Sequence, residues 1–265
     1  MKTNSLKMKT LKMFGMAAIA ILMGVGFASC TKDDGNGVSG KKLTKIVVEG
    51  KYGETVEFKY DSNGRLTEVT DGGGVYQYIW GDDAIKVNTP YTSGNHTYAL
   101  KNGLVQSWNK TLTYNQSNRP IKMVPDQGDY EVTYIWDGDK LVSASEVKED
   151  YQYGYTDNET LTYEKTCKKG YSPLFVGSMG VSDDYLFMAH PELLGARTTQ
   201  LPANVSSSRV YNSESSVNSS TSYTYDYELD NSGYISKIHR DGYYVNHYEE
   251  EERSNSSYTF TLTWE

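Results

Sequence analysis

The chain is poor in residues that staple, ligate or react. Its 265 residues include two cysteines, Cys30 and Cys167, and four histidines, His96, His190, His239 and His247. If Cys30 carries lipid, as argued below, Cys167 stands alone and no intrachain disulfide can form. Such a lone thiol reads as buried filler rather than as a nucleophile. No two histidines have zinc-ligand spacing and there is no H-E-x-x-H, so no zinc site is expected. There is no G-x-S-x-G elbow and no P-loop, and the run from Asp61 to Gly64 lacks the remaining ligands of an EF-hand. Neither a metal nor a cofactor is implied.

Positive charge is also short. Lys and Arg number 26 against 34 acids, a net charge of −8. Four of those lysines, Lys2, Lys7, Lys9 and Lys12, belong to a leader; without them the net charge is −12. Nucleic acid and anionic lipid surfaces are therefore excluded as partners. Leu, Ile, Val and Phe make up only about 18% of residues 30–265, a level that usually signals disorder. The 24 tyrosines and 4 tryptophans supply what is missing. Each buried ring removes a large area from water and can tie its polar tip to a partner. The chain thus folds around tyrosine.

One long apolar run exists, Met13 to Phe27. It suits a signal-peptide core and is too short to span a bilayer comfortably. It stops at Phe27-Ala28-Ser29-Cys30, which resembles the bacterial lipobox, with Phe27 where Leu is usual. Residues 1–29 are read as a lipoprotein signal peptide, and residues 30–42 as the lipidated Cys30 and a flexible tether. Lys32-Asp33-Asp34 looks like the acidic export signal of Bacteroidota-type surface lipoproteins. Display at the cell surface is the expectation, with a periplasm-facing outer-membrane anchor as the alternative. Gly35 to Gly40 formally matches G-x-G-x-x-G but lacks the strand before and the helix after that dinucleotide binding needs.

What fills residues 43–265 is alternation at period two. Tyr258, Phe260, Leu262 and Trp264 share one face against Thr259, Thr261 and Thr263. Tyr130, Val132, Tyr134 and Trp136 do the same, as do Tyr223, Tyr225, Tyr227 and Leu229, and Tyr76, Tyr78 and Trp80. Turn signals separate the runs. The strongest are Tyr60-Asp61-Ser62-Asn63-Gly64-Arg65-Leu66 and Leu229-Asp230-Asn231-Ser232-Gly233-Tyr234-Ile235, with weaker copies at residues 80–85, 100–104, 114–118 and 136–141. The aliphatic residue after each turn is Leu66, Ile85, Leu104, Ile121, Leu141 and Ile235, a spacing near 19 over the first five. One such unit is a hairpin that cannot bury its own face, so hairpins must stack edge to edge.

The expected fold is all-β: a curled antiparallel meander of repeated hairpins, open or closed like a barrel. It forms a single domain with one short helical insertion near residues 171–204. In the insertion, Ser182-Asp183-Asp184 caps a helix over residues 185–194 that Pro191 interrupts. Residues 171–181 and 195–202 look irregular. The insertion packs against the sheet or plugs its open end. Residues 206–222 are Ser/Asn-rich and read as a loop or a polar edge strand.

Residues 60–69 resemble the YD-repeat unit of bacterial surface and toxin-delivery proteins. The lipobox, the hairpin repeat and Pro191-Glu192-Leu193-Leu194-Gly195 with Leu201-Pro202 resemble uncharacterised Bacteroidota lipoproteins described as a domain of unknown function with a porin-like fold. That resemblance implies a curled antiparallel sheet and brings no catalytic residue. A membrane-spanning barrel is not expected, because the runs are mostly five to seven residues and their outward positions carry Lys, Glu, Gln and Thr.

The acid pairs Asp82-Asp83, Asp137/Asp139 and Asp183-Asp184 invite a glycosidase reading. They sit in turns or at a helix start, where Asp is favoured for local hydrogen bonding. The tyrosines read first as core filler, with aromatic faces able to stack on sugars where they are exposed. Ligand-binding candidates are Trp80, Trp136, Tyr185 and His190, the last also readable as a packing residue. The expected function is a non-catalytic binding or scaffold module, its partner a glycan or an envelope protein. A polysaccharide hydrolase is the alternative.

Overall fold

A computed structural model describes residues 40–50, 53–91, 94–149, 154–181, 184–212, 218–247 and 252–265. The leader, Cys30 and most of the tether lie outside the described residues, as do Ser182, Asp183 and residues 248–251. Sixteen strands follow in order: β1 (Leu43–Glu49), β2 (Glu54–Tyr60), β3 (Leu66–Asp71), β4 (Gly74–Trp80), β5 (Ala84–Asn88), β6 (His96–Lys101), β7 (Leu104–Ser107) and β8 (Lys110–Tyr114). Then come β9 (Pro120–Pro125), β10 (Tyr130–Asp137), β11 (Lys140–Lys148), β12 (Tyr155–Thr166), β13 (Gln200–Tyr211), β14 (Ser219–Leu229), β15 (Ile235–Asn246) and β16 (Glu252–Trp264). Each pairs antiparallel with the next, and β16 closes on β1 through Ile46 opposite Leu262 and Val48 opposite Phe260. The meander is a closed barrel.

One arrangement repeats at the end of the barrel where the tight turns lie. The ring that ends an even-numbered strand donates its polar hydrogen to a carbonyl at the start of the strand before it. Tyr60 Oη reaches Leu43 O at 2.7 Å, Trp80 Nε1 reaches Leu66 O at 2.7 Å, and Tyr114 Oη reaches Val105 O at 2.6 Å. Trp136 Nε1 bonds Pro120 O at 2.7 Å, Tyr163 Oη bonds Leu141 O at 2.8 Å, Tyr227 Oη bonds Pro202 O at 2.9 Å, and Trp264 Nε1 bonds Ile235 O at 2.7 Å. Only β6 departs, its Tyr98 hydroxyl donating instead to Asp184 of the insertion.

These carbonyls are available because bulges interrupt the ladder beside them. The register shifts where Tyr60 meets Leu66, Tyr114 meets Pro120, Trp136 meets Leu141 and Leu229 meets Ile235. One extra residue on the odd-numbered strand re-aims its side chains. Leu66 and Val69 are both buried, as are Leu141 and Ala144, and Ile235 and Ile238, three residues apart rather than two. At β9 the inward pair is Pro120 and Met123, and Ile121, the aliphatic residue that follows the turn, is 39% exposed. At β7 the fully buried residue is Val105 rather than Leu104.

The turns share one geometry. Asp61 Oδ1 accepts from Asn63 N (2.8 Å) and Arg65 N (2.9 Å), and Asp230 Oδ1 from Ser232 N (2.8 Å) and Tyr234 N (2.9 Å). Asn115 repeats it with Ser117 N (2.9 Å) and Arg119 N (3.0 Å), so that weaker sequence copy is structurally equivalent. Asn118, at φ 59°, takes the left-handed position that Gly64 and Gly233 fill elsewhere.

The chain between β12 and β13 enters the barrel from this same end and plugs it. Residues 171–181, expected to be irregular, form a 3-10 helix over Pro173–Met179 that buries Phe175 and Val176. Helix α1 (Tyr185–Ala189) starts on Asp184, which accepts from Leu186 N at 3.1 Å, and a 3-10 turn follows at Pro191–Leu194. Proline cannot donate to continue the helix. Phe187 packs edge-on against Tyr98 and Trp108, and Arg119 Nη1 donates to Gly195 O at 2.5 Å.

Residues 206–222, expected as a loop or an edge, belong largely to β13 and β14, which are paired on both sides. Closure leaves no edge. The expectation of five to seven residues per strand fails for β12 to β16, which run 11 to 13 residues. Outward positions on β12 and β14 are polar, Asn158, Thr160 and Thr162 on the first and Thr224, Asp226 and Glu228 on the second, while Val210 on β13 and Tyr243 and Val245 on β15 also face out.

Removing one latch should be measurable. Tyr114→Phe keeps the ring but leaves Val105 O without its donor, at a cost of about 1–3 kcal/mol. Urea unfolding is expected to show that loss, while Tyr91→Phe, at a ring 65% exposed, leaves the midpoint unchanged.

Candidate binding cavity

The core fills the turn end of the lumen and stops short of the other. Above the plug lies a cavity of about 580 Å³. Its floor is Leu174, Gly177, Ser178, Tyr185 and Met188 of the insertion. Its walls are Ile46 and Val48 of β1, Val56 of β2, Glu159 of β12, and Tyr223, Tyr225, Arg240, Tyr258 and Phe260 of the long strands. Glu54, exposed at the start of β2, marks the mouth.

Register brings the aromatic residues to Arg240. It lies opposite Tyr225 on one side and Tyr258 on the other. Its guanidinium carbon stands 5.0 Å from the Tyr223 ring centre, 4.9 Å from Tyr258 and 5.4 Å from Phe260. These are cation–π distances, and the rings hold the guanidinium against the cavity wall. The Arg240 Nε is buried and makes no hydrogen bond among the described residues. Gly242 permits the arrangement: a Cβ there would lie 2.2 Å from Tyr223 Cδ1, so any other residue would push that ring off the wall.

Glu159 is the cavity's second charged pole. Burial pushes its carboxyl up to about 7, the Ser178 hydroxyl hydrogen-bonded to it pulls the other way, and the nearby Asp157 charge adds to the rise. Its Oε1 is buried without a hydrogen-bond partner. Tyr225 feels both poles: burial pushes its hydroxyl up to about 12, Arg240 pulls it down and Glu159 raises it. No Glu159–Arg240 ion pair forms. Beyond Glu159 on the same strand, Asp157 pairs with Arg209 at 2.8 Å, and Arg209 lies 4.1 Å from the Tyr155 ring centre.

A smaller cavity of about 210 Å³ sits where the plug meets β6 and β8, lined by His96, Trp108 and Asp184 among others. Burial pushes the Asp184 carboxyl up to about 6, against the hydrogen bond it accepts from Tyr98.

Of the sequence-level candidates, Tyr185 lines the main cavity, its hydroxyl donating to Asp71 Oδ2 at 2.6 Å. Trp80 and Trp136 do not; their indoles are latches. His190 stands between the Tyr60 and Trp80 rings, with Nδ1 2.7 Å from Glu192 Oε1 and Nε2 3.3 Å from Leu66 N, and so fastens the plug to the wall. Cys30 lies outside the described residues. Cys167 is buried away from the cavity, and burial pushes its thiol up to about 11. Among the described residues no group of His, Cys, Asp and Glu could hold a metal ion.

Sequence reasoning missed Glu159 and Arg240. Period two puts Glu159 on one face with Leu161 and Tyr163, and Arg240 on one face with Ile238. A charge sharing a face with core residues was the available signal.

No family model matches the chain, and no curated protein matches it. Solved structures share its fold, two of them porin-like proteins. A porin-like protein from Bacteroides uniformis ATCC 8492 aligns with TM-score 0.59 at 17% identity, over 85% of this chain and 96% of that one. A porin-like protein from Bacteroides vulgatus ATCC 8482 aligns with TM-score 0.55 at 13% identity, over 85% and 99%. The porin-like fold implied by the resemblance noted from the sequence is thus shared.

The raised Glu159 carboxyl has a stability signature. Its affinity for a proton is higher folded than unfolded. The folded state is therefore favoured most below about 4.5, and that advantage is lost as pH rises through about 7. Glu159→Gln is expected to stabilise the barrel above pH 7, by on the order of 3 kcal/mol, and to change little at pH 4. Thermal unfolding at the two pH values reads this, and an equal shift at both would show that the carboxylate is solvated.

Proposed function

We propose that the protein is a non-catalytic binding module, held at the outer membrane by lipid on Cys30, with the lumen cavity as its site and a glycan as its ligand. The observation that carries this reading is a cavity of about 580 Å³ walled by tyrosines, with an unpartnered arginine nitrogen and an unpartnered carboxylate oxygen facing it. Pockets for small ligands have this make-up: mostly apolar and aromatic walls with a few placed polar groups. Tyrosine faces stack on sugar rings while their hydroxyls bond to sugar hydroxyls. An envelope protein inserting one side chain is the other ligand the space admits.

The anchor sets the direction. Residues 40–42 enter at the plugged end, where Lys42 N donates to Glu265 O at 2.6 Å. A tether from Cys30 to Gly40 reaches at most about 35 Å when extended. An acyl anchor there turns the plug toward the bilayer and the mouth away from it. The polar outward positions of β12 and β14 suit a barrel standing clear of lipid. The acidic Lys32-Asp33-Asp34 favours the cell surface over the periplasmic face. More than one acyl chain gives stable attachment.

A second reading has one observation in its favour. Glu54 and Glu159 both line the cavity, and burial keeps Glu159 protonated near neutral pH, as a general acid requires. That is the polysaccharide hydrolase. Binding is preferred because Arg240 and four tyrosines crowd the carboxylates with recognition groups.

Two measurements test the proposal. Cys30→Ser is expected to abolish acyl labelling and move the protein out of the membrane fraction; retention there would remove the anchor. A glycan array and polysaccharide pull-down on the full chain in detergent are expected to give saturable binding without product, weakened several-fold by Tyr258→Ala. Product release would establish the hydrolase, and silence would leave the protein partner.

A further inference from the structure

The two poles of the cavity narrow the ligand class, an inference that rests on the glycan reading above. Arg240 is a guanidinium held on the faces of Tyr223, Tyr258 and Phe260 and hydrogen-bonded to the Tyr225 hydroxyl, with no carboxylate partner among the described residues and a buried, unbonded Nε. A buried donor of this kind stands ready for an acceptor the chain does not supply. Guanidinium is the group best shaped for planar carboxylate, which it can bind through two parallel N–H bonds. At the other pole Glu159 offers an unbonded oxygen that suits ligand hydroxyls. The strands bearing the two poles are separated by β13 and β14, with Tyr225 between the side chains. The complementary ligand therefore carries a carboxylate at one end and hydrogen-bond donors at the other, on opposite sides of Tyr225. A free amino acid, with both charged groups on one carbon, does not match that separation.

We infer that the cavity recognises a carboxylated sugar, with Arg240 binding its carboxylate, Glu159 its hydroxyls and the tyrosines its ring. The groups around Glu159 give the site a pH dependence. Asp157 and Tyr163 share its strand, Ser178 faces it from the plug, Tyr225 and Arg240 from β14 and β15, and Glu54 lines the opposite wall. A sugar carboxylate entering this site meets less repulsion when Glu159 holds a proton. Affinity for the acid rises as pH falls from 8 to 6, a range in which the sugar's own carboxyl stays ionised.

The test is calorimetric titration of the full chain in detergent. The probes are oligosaccharides ending in galacturonate, glucuronate or sialic acid, each offered as the acid and as its methyl ester. The expected result is that at least one acid binds about tenfold more tightly than its ester, the usual worth of a charge-assisted bond. Arg240→Gln erases the preference and Arg240→Lys restores part of it. Glu159→Gln flattens the pH dependence without erasing the preference. Thermal unfolding of each variant establishes that it folds. Esters that bind as well as the acids, or a preference that survives Arg240→Gln, overturn the inference and leave the glycan reading standing. Binding of free amino acids in place of sugars overturns both, as does silence across the acids, the esters and a neutral glycan panel.

Discussion

The barrel hangs on a hydrogen bond from a ring to the first carbonyls of the neighbouring strand. A bulge takes that carbonyl out of the regular ladder, and a buried carbonyl without a donor is costly. Tyr or Trp at the end of the next strand supplies the donor and fills the corner with a ring. One residue type thus performs two tasks that a chain poor in Leu and Ile would otherwise leave undone. Burial also keeps those hydroxyls as donors: the tips of Tyr60, Tyr114, Tyr163 and Tyr227 are all pushed well above the ordinary tyrosine range, chiefly by desolvation. The repeat exists because each hairpin needs its own latch.

Where a latch is missing, the plug takes over. Tyr98 of β6 donates to Asp184, which also caps α1, so the wall and the insertion share one carboxylate. The same logic recurs at His190, wedged between two latch rings and bonded to Leu66 N. Within the plug, burial works against the Glu192 carboxylate, but its hydrogen bond to His190 and the His190 charge hold it below its usual range. The insertion is therefore fixed by the elements that close the turn end of the wall. It fills that half of the lumen, and the tyrosine-rich face of the other half is left to line open space.

This division explains what could be read from the sequence. Alternation was legible on β4, β10, β14 and β16, all even-numbered strands, which run to their latch without a bulge of their own. It was obscured on β3, β9, β11 and β15, where the extra residue turns period two into a spacing of three. Ile121 shows why: it is the bulged residue, and Pro120 beside it faces in. Closure could not be read, because no local pattern says that β16 will meet β1. Residues 206–222 looked like a loop because their inward side faces a wet lumen. Strands there need no apolar alternation, only partners on both sides. Trp80 and Trp136 attracted attention as large rings, yet ring size marked latches. The site is marked by charge, at Glu159 and Arg240.

The cavity persists because its poles are kept apart. An arginine and a glutamate lining one lumen would gain by pairing, since a partly buried charge without a partner is costly. The strands that carry them are three spacings apart, roughly 14 Å along the wall. Tyr225 stands between them, with its own hydroxyl drawn toward Arg240. The guanidinium is instead satisfied by the Tyr225 hydroxyl and by the rings of Tyr223, Tyr258 and Phe260, which would have to move if it swung across to Glu159. Gly242 keeps Tyr223 against the wall, and Tyr223 keeps Arg240 in place. The chain thus spends stability on two groups it could have joined, and the aromatic frame that holds them apart is continuous with the one that holds the barrel together.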